Sequence, residues 1–261
     1  MNPFKVLFKN RNMIKQTTIN DIKMRYAGSF MGLAWAIIYP ILFLGCYAMM
    51  YVFVFNVRFD IFDTKDYVVL IFCGLIPFLG FQEAIASGTS SVVANTNLLK
   101  NTLFPIELAP VKTVLAAQTT QLCGMILILI ATIIIGKASI FTPLFLILWI
   151  LQIMFSMGLV WILSSLNVIF RDLQNMIAII LLLIMLISPI AYPVSMVPEN
   201  LQPFLKINPM YYIISCYQDI FMNQKFPDMN VLLPFIIMAF LTFIVGYSFF
   251  MKMKKGFTDN V

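Results

Sequence analysis

The stretch PLFLILWILQIMFSMGLVWILSSLNVI, residues 143–169, decides the fold class, because it carries no ionisable side chain over its whole length. A helix rises about 1.5 Å per residue, so this stretch can cross the roughly 30 Å hydrocarbon core of a bilayer. Its apolar residues lack the alternation of a barrel strand, which favours a helix. The stretch therefore predicts a transmembrane helix.

The rest of the chain has the same character. Of its 261 residues, 61% are hydrophobic and 11% are charged, which is too little polar surface to cover a water-soluble fold. Apolar runs of sufficient length predict membrane spans at 32–55, 67–86, 113–135, 143–169, 175–190 and 231–251. We predict an all-α integral membrane protein with a six-transmembrane-helix bundle at 32–261, preceded by a separate segment at 1–31.

The charge distribution orients this bundle. With both termini in the cytoplasm, the inside segments hold twelve Lys and Arg residues and the outside segments hold five. Cytoplasmic loops carry such an excess of basic residues. We therefore expect a multi-pass protein of the cytoplasmic (inner) membrane, with its basic side chains facing anionic lipid rather than nucleic acid.

The segment before the first span is basic and carries Ile14, Thr18, Ile22 and Tyr26 at intervals of four. This spacing predicts an amphipathic helix that lies on the cytoplasmic leaflet as an interface segment. The alternative is a basic tail held by anionic lipid alone.

The external segment at about 191–230 is divided by prolines into short pieces. Asn208 followed by Pro209 is a good helix start, since Asn caps the first turn and Pro fits its first position. We predict two short helices here that rest on the outer leaflet or dip into it.

Several kinds of chemistry are excluded by composition. The chain has no His, and its four cysteines are far apart without a CxxC pair, so neither a zinc site nor a disulfide framework is indicated. No GxxxxGKS or GxxxxGKT sequence is present to cradle a phosphate. We expect no cofactor in this chain, and any ATP hydrolysis belongs to another chain.

Glu83 is the only ionisable residue inside the predicted spans, about one turn from the cytoplasmic end of the second. Ion-coupled carriers place charged groups deep in the bilayer, so a proton or sodium relay is poorly supplied here. Glu83 either pairs with a cytoplasmic Lys or Arg or lies at the headgroup boundary.

The first span carries aromatic residues at steps of four, which places them along one helix face: Tyr39, Phe43, Tyr47, Tyr51 and Phe55. A buried phenol needs a hydrogen-bond partner, and lipid tails provide none. The stripe either packs against neighbouring helices or forms the wall of a passage, where rings contact sugar faces and phenols contact sugar hydroxyls. Gly28 and Gly32, just ahead of this span, serve either a turn or helix packing.

The sequence RYAGSFMGLAW at 25–35, followed by Pro40, resembles the start of the first span in ABC-2 type permeases that export cell-surface polysaccharides, such as O-antigen and teichoic acid. The stretch from Asn97 to Pro105 is similar to a cytoplasmic loop of that family. Asn167 to Arg171-Asp172 is similar to its second cytoplasmic turn. Pro198-Glu199 and Asn208-Pro209 are similar to its external gate segment. Gln218 departs from the arginine found there in many relatives.

The resemblance implies a homodimer of this chain with two copies of a separate ABC ATPase subunit, which binds ATP and Mg²⁺ and drives a lipid-linked polysaccharide outward. It implies coupling to the ATPase by Arg25, Asn97, Lys100, Pro105, Arg171 and Asp172. It implies a conduit lined by Tyr39, Phe43, Tyr47 and Tyr51. It implies an external gate formed by Pro198, Glu199, Asn208 and Pro209.

Two alternatives stay open at this point. An exporter of drugs or other small molecules with the same architecture also fits an aromatic conduit. A membrane-embedded enzyme acting on lipid-linked sugars needs paired carboxylates on a rigid element. The external Glu199, Asp219 and Asp228 are instead scattered among prolines in the sequence.

Overall fold

A computed structural model of the chain describes residues 3–25, 27–50, 64–95 and 104–257, and these residues form helices and no strand. The α-helices are α1 (Pro3–Lys9), α2 (Arg11–Arg25), α3 (Trp35–Met49), α4 (Thr64–Thr89), α5 (Ser91–Ala94), α6 (Leu108–Ile135), α7 (Phe145–Ile169), α8 (Leu173–Ile187), α9 (Gln202–Ile207), α10 (Pro209–Phe221) and α11 (Met229–Met253). Short 3-10 turns lie at Gly32–Ala34, Thr142–Leu144, Val194–Met196 and Lys254–Gly256.

Among the described residues, four helices are long and apolar enough to cross a membrane: α4, α6, α7 and α11. They confirm the spans predicted at 67–86, 113–135, 143–169 and 231–251, although α4, α6 and α11 extend beyond the predicted bounds. The largest difference is in α6, which begins at Leu108 rather than at 113. Pro110 lies in the first turn of α6, where its missing N–H leaves no hydrogen bond unmade. The protein is therefore membrane-embedded and multi-pass.

The predicted first and fifth spans correspond to two shorter apolar helices, α3 and α8. Each has 15 residues, and at about 1.5 Å per residue it is shorter than the hydrocarbon core. Residues 51–55 of the predicted first span lie outside the described residues. Gly28 and Gly32 both have positive φ angles, of 77° and 51°, so they serve the turn between α2 and α3 rather than helix packing.

The centre of the bundle is α4, which packs against α3, α6, α7, α8 and α10. The closest helix approach is elsewhere, between α7 and α11. A Cβ added to Gly246 would lie 2.1 Å from the carbonyl oxygen of Gly158, so the two backbones are in direct contact. Small residues allow this approach between membrane helices.

Buried amide side chains join three of the spans half-way along the bundle. Gln121 of α6 and Gln152 of α7 donate to each other's carbonyl oxygens over 2.9 and 3.0 Å. Gln152 also donates to the backbone oxygen of Pro77 in α4 over 2.8 Å. Neutral amides satisfy one another in a region where a charge would be costly.

The ion pairs of the described residues separate into two groups at opposite ends of the bundle. At the end that carries α2, here called the α2 end, the pairs are Arg25–Glu83, Asp21–Lys112 and Glu107–Lys254. At the end that carries α10, here called the α10 end, the pairs are Asp66–Lys137 and Asp219–Lys225. A bilayer imposes this arrangement, because charged side chains are costly in its hydrocarbon core, whereas amides that hydrogen-bond to one another are tolerated there.

Candidate functional site

The aromatic residues of α3 form a stacked row, here called the aromatic ladder and defined as Tyr39, Phe43 and Tyr47. The centroid of the Phe43 ring lies 5.9 Å from that of Tyr39 and 6.1 Å from that of Tyr47, with interplanar angles of 25° and 24°. Each is four residues from the next, so consecutive helical turns place the rings one above another. Ala36 and Leu44 are buried and hold α3 to the bundle. The ladder is thus a continuous aromatic surface along one helix.

Both sequence interpretations of the stripe find support in this arrangement. Phe43 and Tyr47 are partly buried against the core, as a packing role requires. Tyr39 is 49% exposed and lines an open groove. Tyr51 and Phe55 lie outside the described residues. The role of these residues as a conduit stays a prediction.

A groove beside Tyr39, at the start of the ladder, is here called the α3 groove. It has a volume of about 430 Å³ and is bounded by α3, α4 and α6. Its lining combines aromatic, amide, hydroxyl and carboxylate groups from Trp35, Tyr39, Leu79, Gln82, Glu83, Ala86 and Thr120. Flat rings beside hydrogen-bonding groups suit a ligand that has both apolar faces and hydroxyls. Tyr39 therefore lines a groove that carries both apolar and hydrogen-bonding groups.

Glu83 takes the first of the two positions considered for it, since its carboxylate pairs with the Arg25 guanidinium. Arg25 is the last residue of α2, and Glu83 lies in the last two turns of α4, on the wall of the α3 groove. The pair therefore joins α2 to the rim of the groove. This position places Arg25 beside the groove.

A second contact region surrounds the first turns of α6. Lys112 donates to Asp21 of α2 over 3.0 Å and to the Asn95 side chain over 3.1 Å. Glu107, just before α6, accepts from Lys254 over 2.7 Å, and its backbone oxygen accepts from the Trp161 indole over 3.0 Å. These bonds connect the start of α6 to α2, α7 and the end of α11.

The remaining residues predicted to couple to an ATPase are also found at the α2 end where the structure describes them. Pro105 precedes α6, and its backbone oxygen accepts from the Leu108 N–H over 2.9 Å. Arg171 and Asp172 are exposed in the turn between α7 and α8. Asn97 and Lys100 lie outside the described residues. In the described residues, the predicted coupling residues share one end of the bundle without forming one contact cluster.

The predicted gate residues begin the short helices at the α10 end. The Asn208 side chain accepts from the Met210 N–H over 2.9 Å, which confirms the predicted start of α10. The same side chain donates to the Ser188 hydroxyl over 2.8 Å, so it ties α10 to the end of α8. Pro209 is the first residue of α10, whereas Pro198 and Glu199 are exposed before α9.

Asp219 and Asp228 lie together at the α10 end, although they belong to different elements, α10 and the N-cap of α11. The Asp219 carboxylate accepts from the backbone N–H of Asp228 over 3.2 Å and pairs with Lys225. The Asp228 carboxylate caps α11 by accepting from the Asn230 N–H. The short connection between α10 and α11, residues 222–228, folds back and brings them together. Both carboxylates hold local structure, so their proximity does not favour an enzyme.

These residues line a pocket of about 300 Å³ at the α10 end, together with Tyr211, Ser215 and Gln218. Burial raises the pKa of the Tyr211 phenol, and the nearby Tyr212 and Asp228 raise it further. The phenol therefore stays protonated at neutral pH. Gln218, the departure from the family pattern, donates to the backbone oxygen of Pro189 over 2.9 Å.

The sequence of this chain matches a family model described as ABC-2 type transporter over residues 13–222. This chain belongs to the ABC-2 type transporter family. It is 27% identical to the O-antigen export system permease protein RfbA of Myxococcus xanthus over 262 residues, which cover 98% of this chain and 97% of that relative. Two proteins of the same name from Klebsiella pneumoniae are each 29% identical, over 248 and 244 residues, which cover 93% of this chain and 92% of each relative.

The ABC-2 match begins in α2 and ends one residue after α10, so it contains the aromatic ladder, the first turns of α6 and the predicted gate residues. It confirms the resemblance drawn from residues 25–35. Helix α11 lies beyond the match, yet it leads to Lys254, which directly follows it and pairs with Glu107. The ABC-2 chain therefore depends on its last helix to complete the α2 end.

Sequence reasoning missed the contacts around the start of α6. Glu107 and Lys254 are separated by 147 positions, and Asp21 and Lys112 by 91, so no local pattern joins them. The sequence did contain one indication of such a contact, since Glu107 is an acidic residue directly before a long apolar helix. Its partner could not be chosen from among the basic residues at the chain's end without the fold.

Proposed function

We propose that this ABC-2 chain is the membrane-spanning permease subunit of an exporter that moves a lipid-linked cell-surface polysaccharide outward across the cytoplasmic membrane. The observation that carries the proposal is similarity over nearly the whole length of three proteins named O-antigen export system permease. The aromatic ladder beside a polar groove supports it, because stacked rings give a sugar polymer many weak contacts along one line.

The proposed topology has six crossings, by α3, α4, α6, α7, α8 and α11. An even number of crossings returns the chain to the side on which it starts. The excess of basic residues in the segments at the α2 end supports a cytoplasmic position for that end and for both termini. In this topology 1–31 is the interface segment, 32–261 is the membrane domain, and about 191–230 is its external gate segment.

The proposed assembly is a homodimer with two ATPase subunits that bind ATP and Mg²⁺. The chain carries no phosphate-cradling sequence, so we assign hydrolysis to the partner and no catalysis or cofactor to this chain. Helix α8 supports a second copy, since only Ile177 and Leu181 of it are buried. Seven of its other large apolar side chains are exposed: Met176, Ile179, Ile180, Leu182, Leu183, Leu186 and Ile187.

Within this assembly we assign the residues to three roles. The predicted coupling residues at the α2 end contact the ATPase, and Arg171 and Asp172 are exposed in the turn between α7 and α8. The aromatic ladder lines the conduit. The gate segment forms the external gate at the α10 end, where the Asn208 side chain links the end of α8 to α10.

The proposal is tested by deleting the gene and measuring surface polysaccharide with a glycan-specific antibody. We expect the polysaccharide to accumulate inside the cell and to return to the surface when the gene is restored. Copurification with the ATPase encoded nearest to it is expected in the same cells. Normal surface polysaccharide in the deletion strain overturns the proposal, and drug sensitivity with normal polysaccharide assigns the chain to the small-molecule alternative.

A further inference from the structure

The Arg25–Glu83 pair differs from the other contacts at the α2 end in how open it is. Both of its side chains are partly exposed, at 26% and 30%, whereas each of the other two pairs has one partner that is only 9% exposed: Lys112, paired with Asp21 at 23%, and Glu107, paired with Lys254 at 35%. Ion pairs that remain partly in contact with solvent contribute little to stability, because solvent screens them. The pair can therefore open at small cost to the fold.

The pair stands at the mouth of a cavity of suitable size for a ligand. Glu83 is part of the wall of the α3 groove, together with the rings of Trp35 and Tyr39 and the polar side chains of Gln82 and Thr120. A guanidinium presents paired N–H donors that fit the oxygens of a carboxylate and of a phosphate equally well. The Glu83 carboxylate thus occupies the position that a phosphate would take on Arg25.

The depth of this position in the membrane also suits a phosphate. Arg25 ends a helix at the α2 end, and the turn after it exposes Phe30 fully. Exposed aromatic side chains next to basic ones are typical of the headgroup region of a bilayer. Lipid phosphates also lie in the headgroup region, and the α3 groove reaches the Arg25 guanidinium through its wall residue Glu83.

We propose that Arg25 and the α3 groove form a binding site for a phosphate carried by a lipid, and that Glu83 acts as an internal competitor that occupies Arg25 until the phosphate displaces it. The first sugar or the lipid next to the phosphate then lies against Trp35 and Tyr39. The inference of a phosphate site rests on Arg25, Glu83 and the lining of the α3 groove. Only the identification of the phosphate with that of the exported lipid-linked glycan rests on the proposed function.

Two substitutions that break the same ion pair give opposite predictions. The full chain is reconstituted in phosphatidylcholine nanodiscs and titrated with farnesyl diphosphate, a water-soluble prenyl phosphate. Tryptophan fluorescence is followed, and a Trp35→Phe chain, which keeps Trp149 and Trp161, identifies the part of the signal that comes from Trp35. Glu83→Gln removes the competitor and is expected to tighten binding by about tenfold, which corresponds to roughly 1.4 kcal/mol. Arg25→Gln is expected to abolish binding, and Arg25→Lys to weaken it because the paired donors are lost.

Lys23→Gln is the matched control, since Lys23 is an exposed cation in the same helix turn as Arg25. Its binding is expected to equal that of the unchanged chain. Equal weakening by Glu83→Gln and Arg25→Gln overturns the proposal, because a purely structural pair predicts the same sign for both. Absence of binding by the Glu83→Gln chain also overturns it.

Further arms identify the source of the phosphate. Competition by inorganic diphosphate but not by farnesol assigns the affinity to the phosphate, whereas competition by farnesol alone overturns the site. Nanodiscs that contain phosphatidylglycerol test the bulk lipid headgroup as the occupant. If they block farnesyl diphosphate, the occupant is bulk anionic lipid; if they do not, a prenyl phosphate is preferred. Binding with these properties in a chain that exports no polysaccharide would remove the proposed function and leave the site.

Discussion

The α7–α11 contact and the outer face of α3 are two apolar surfaces built in opposite ways. Between α7 and α11, Gly158 and Gly246 bring the backbones together, and Trp161 packs against Phe243 and Tyr247 with centroid distances of 5.2 Å. The outer face of α3, which points away from the bundle and includes Ile41, carries large exposed side chains instead. Small residues mark helices that stay packed, and large exposed ones mark a surface left for lipid, a second copy or a ligand.

The largest effect is expected where an added methyl group has no space. Gly246→Ala places a Cβ 2.1 Å from a backbone oxygen of α7, so the two helices must separate. We expect a loss of about 3 kcal/mol or more, at or above the upper range for overpacked cores. The thermal midpoint of the detergent-solubilised chain, measured by fluorescence-detected size exclusion, reports the loss.

Gly45→Ala on α3 is the matched control, since nothing lies within 4 Å of its added Cβ. Alanine is the better helix former, so the thermal midpoint is expected to stay the same or rise slightly. A drop of equal size in both variants would show that the two surfaces are packed alike.

An intermediate effect is expected at the amides between the spans. Gln152→Leu removes the donor to Pro77 and leaves the Gln121 amide without its reciprocal bond. We expect a loss of about 1–2 kcal/mol, as for other hydrogen bonds between membrane helices. Thermal unfolding of the Gln121→Leu, Gln152→Leu double variant should recover part of it, because no unpaired amide remains. Additive losses in the double variant would contradict the reciprocal bond.

A smaller effect is expected at the Glu107–Lys254 pair, where Lys254 is partly exposed. Glu107→Gln and Lys254→Gln should each cost less than about 1 kcal/mol, since solvent screens the pair. Because both changes remove the same interaction, their combination should cost little more than either alone. Thermal midpoints of the three variants check this, and full additivity would show that the contact contributes nothing.

Hydropathy predicted most of the fold because the four long spans are determined locally. Each apolar run in α4, α6, α7 and α11 is long enough to require a bilayer, whichever helices it contacts. The start of α10 was also local, since Asn208 and Pro209 act on the turn that follows them. These features need no knowledge of the rest of the chain.

The features that sequence reasoning missed depend on residues that are distant in the chain. Glu83 had two possible positions, and only the packing of α2 near the end of α4 selected Arg25 as its partner. Asp219 and Asp228 appeared scattered because the fold of the connection between α10 and α11 is irregular. The spacing of Gly28 and Gly32 suits helix packing, but their positive φ angles place them in a turn.

The smallest effect is expected on the outer face of α3. Ile41 is exposed there, so Ile41→Ala exchanges a contact with lipid or detergent for a similar one. We expect a change within about 0.5 kcal/mol, the usual range for surface substitutions. A large drop in the thermal midpoint of the detergent-solubilised monomer would show that Ile41 is packed inside the protein rather than exposed.

If a polysaccharide passes along the aromatic ladder of α3, the double variant Tyr39→Ala, Tyr47→Ala should impair its export. Surface polysaccharide is measured in cells that carry this variant, with Ile41→Ala as the control and with copurification of the ATPase as a check on assembly. We expect a fall of about tenfold, as when roughly 1.4 kcal/mol of stabilisation along the path is lost, while assembly is retained. Unchanged export by an assembled double variant would contradict it.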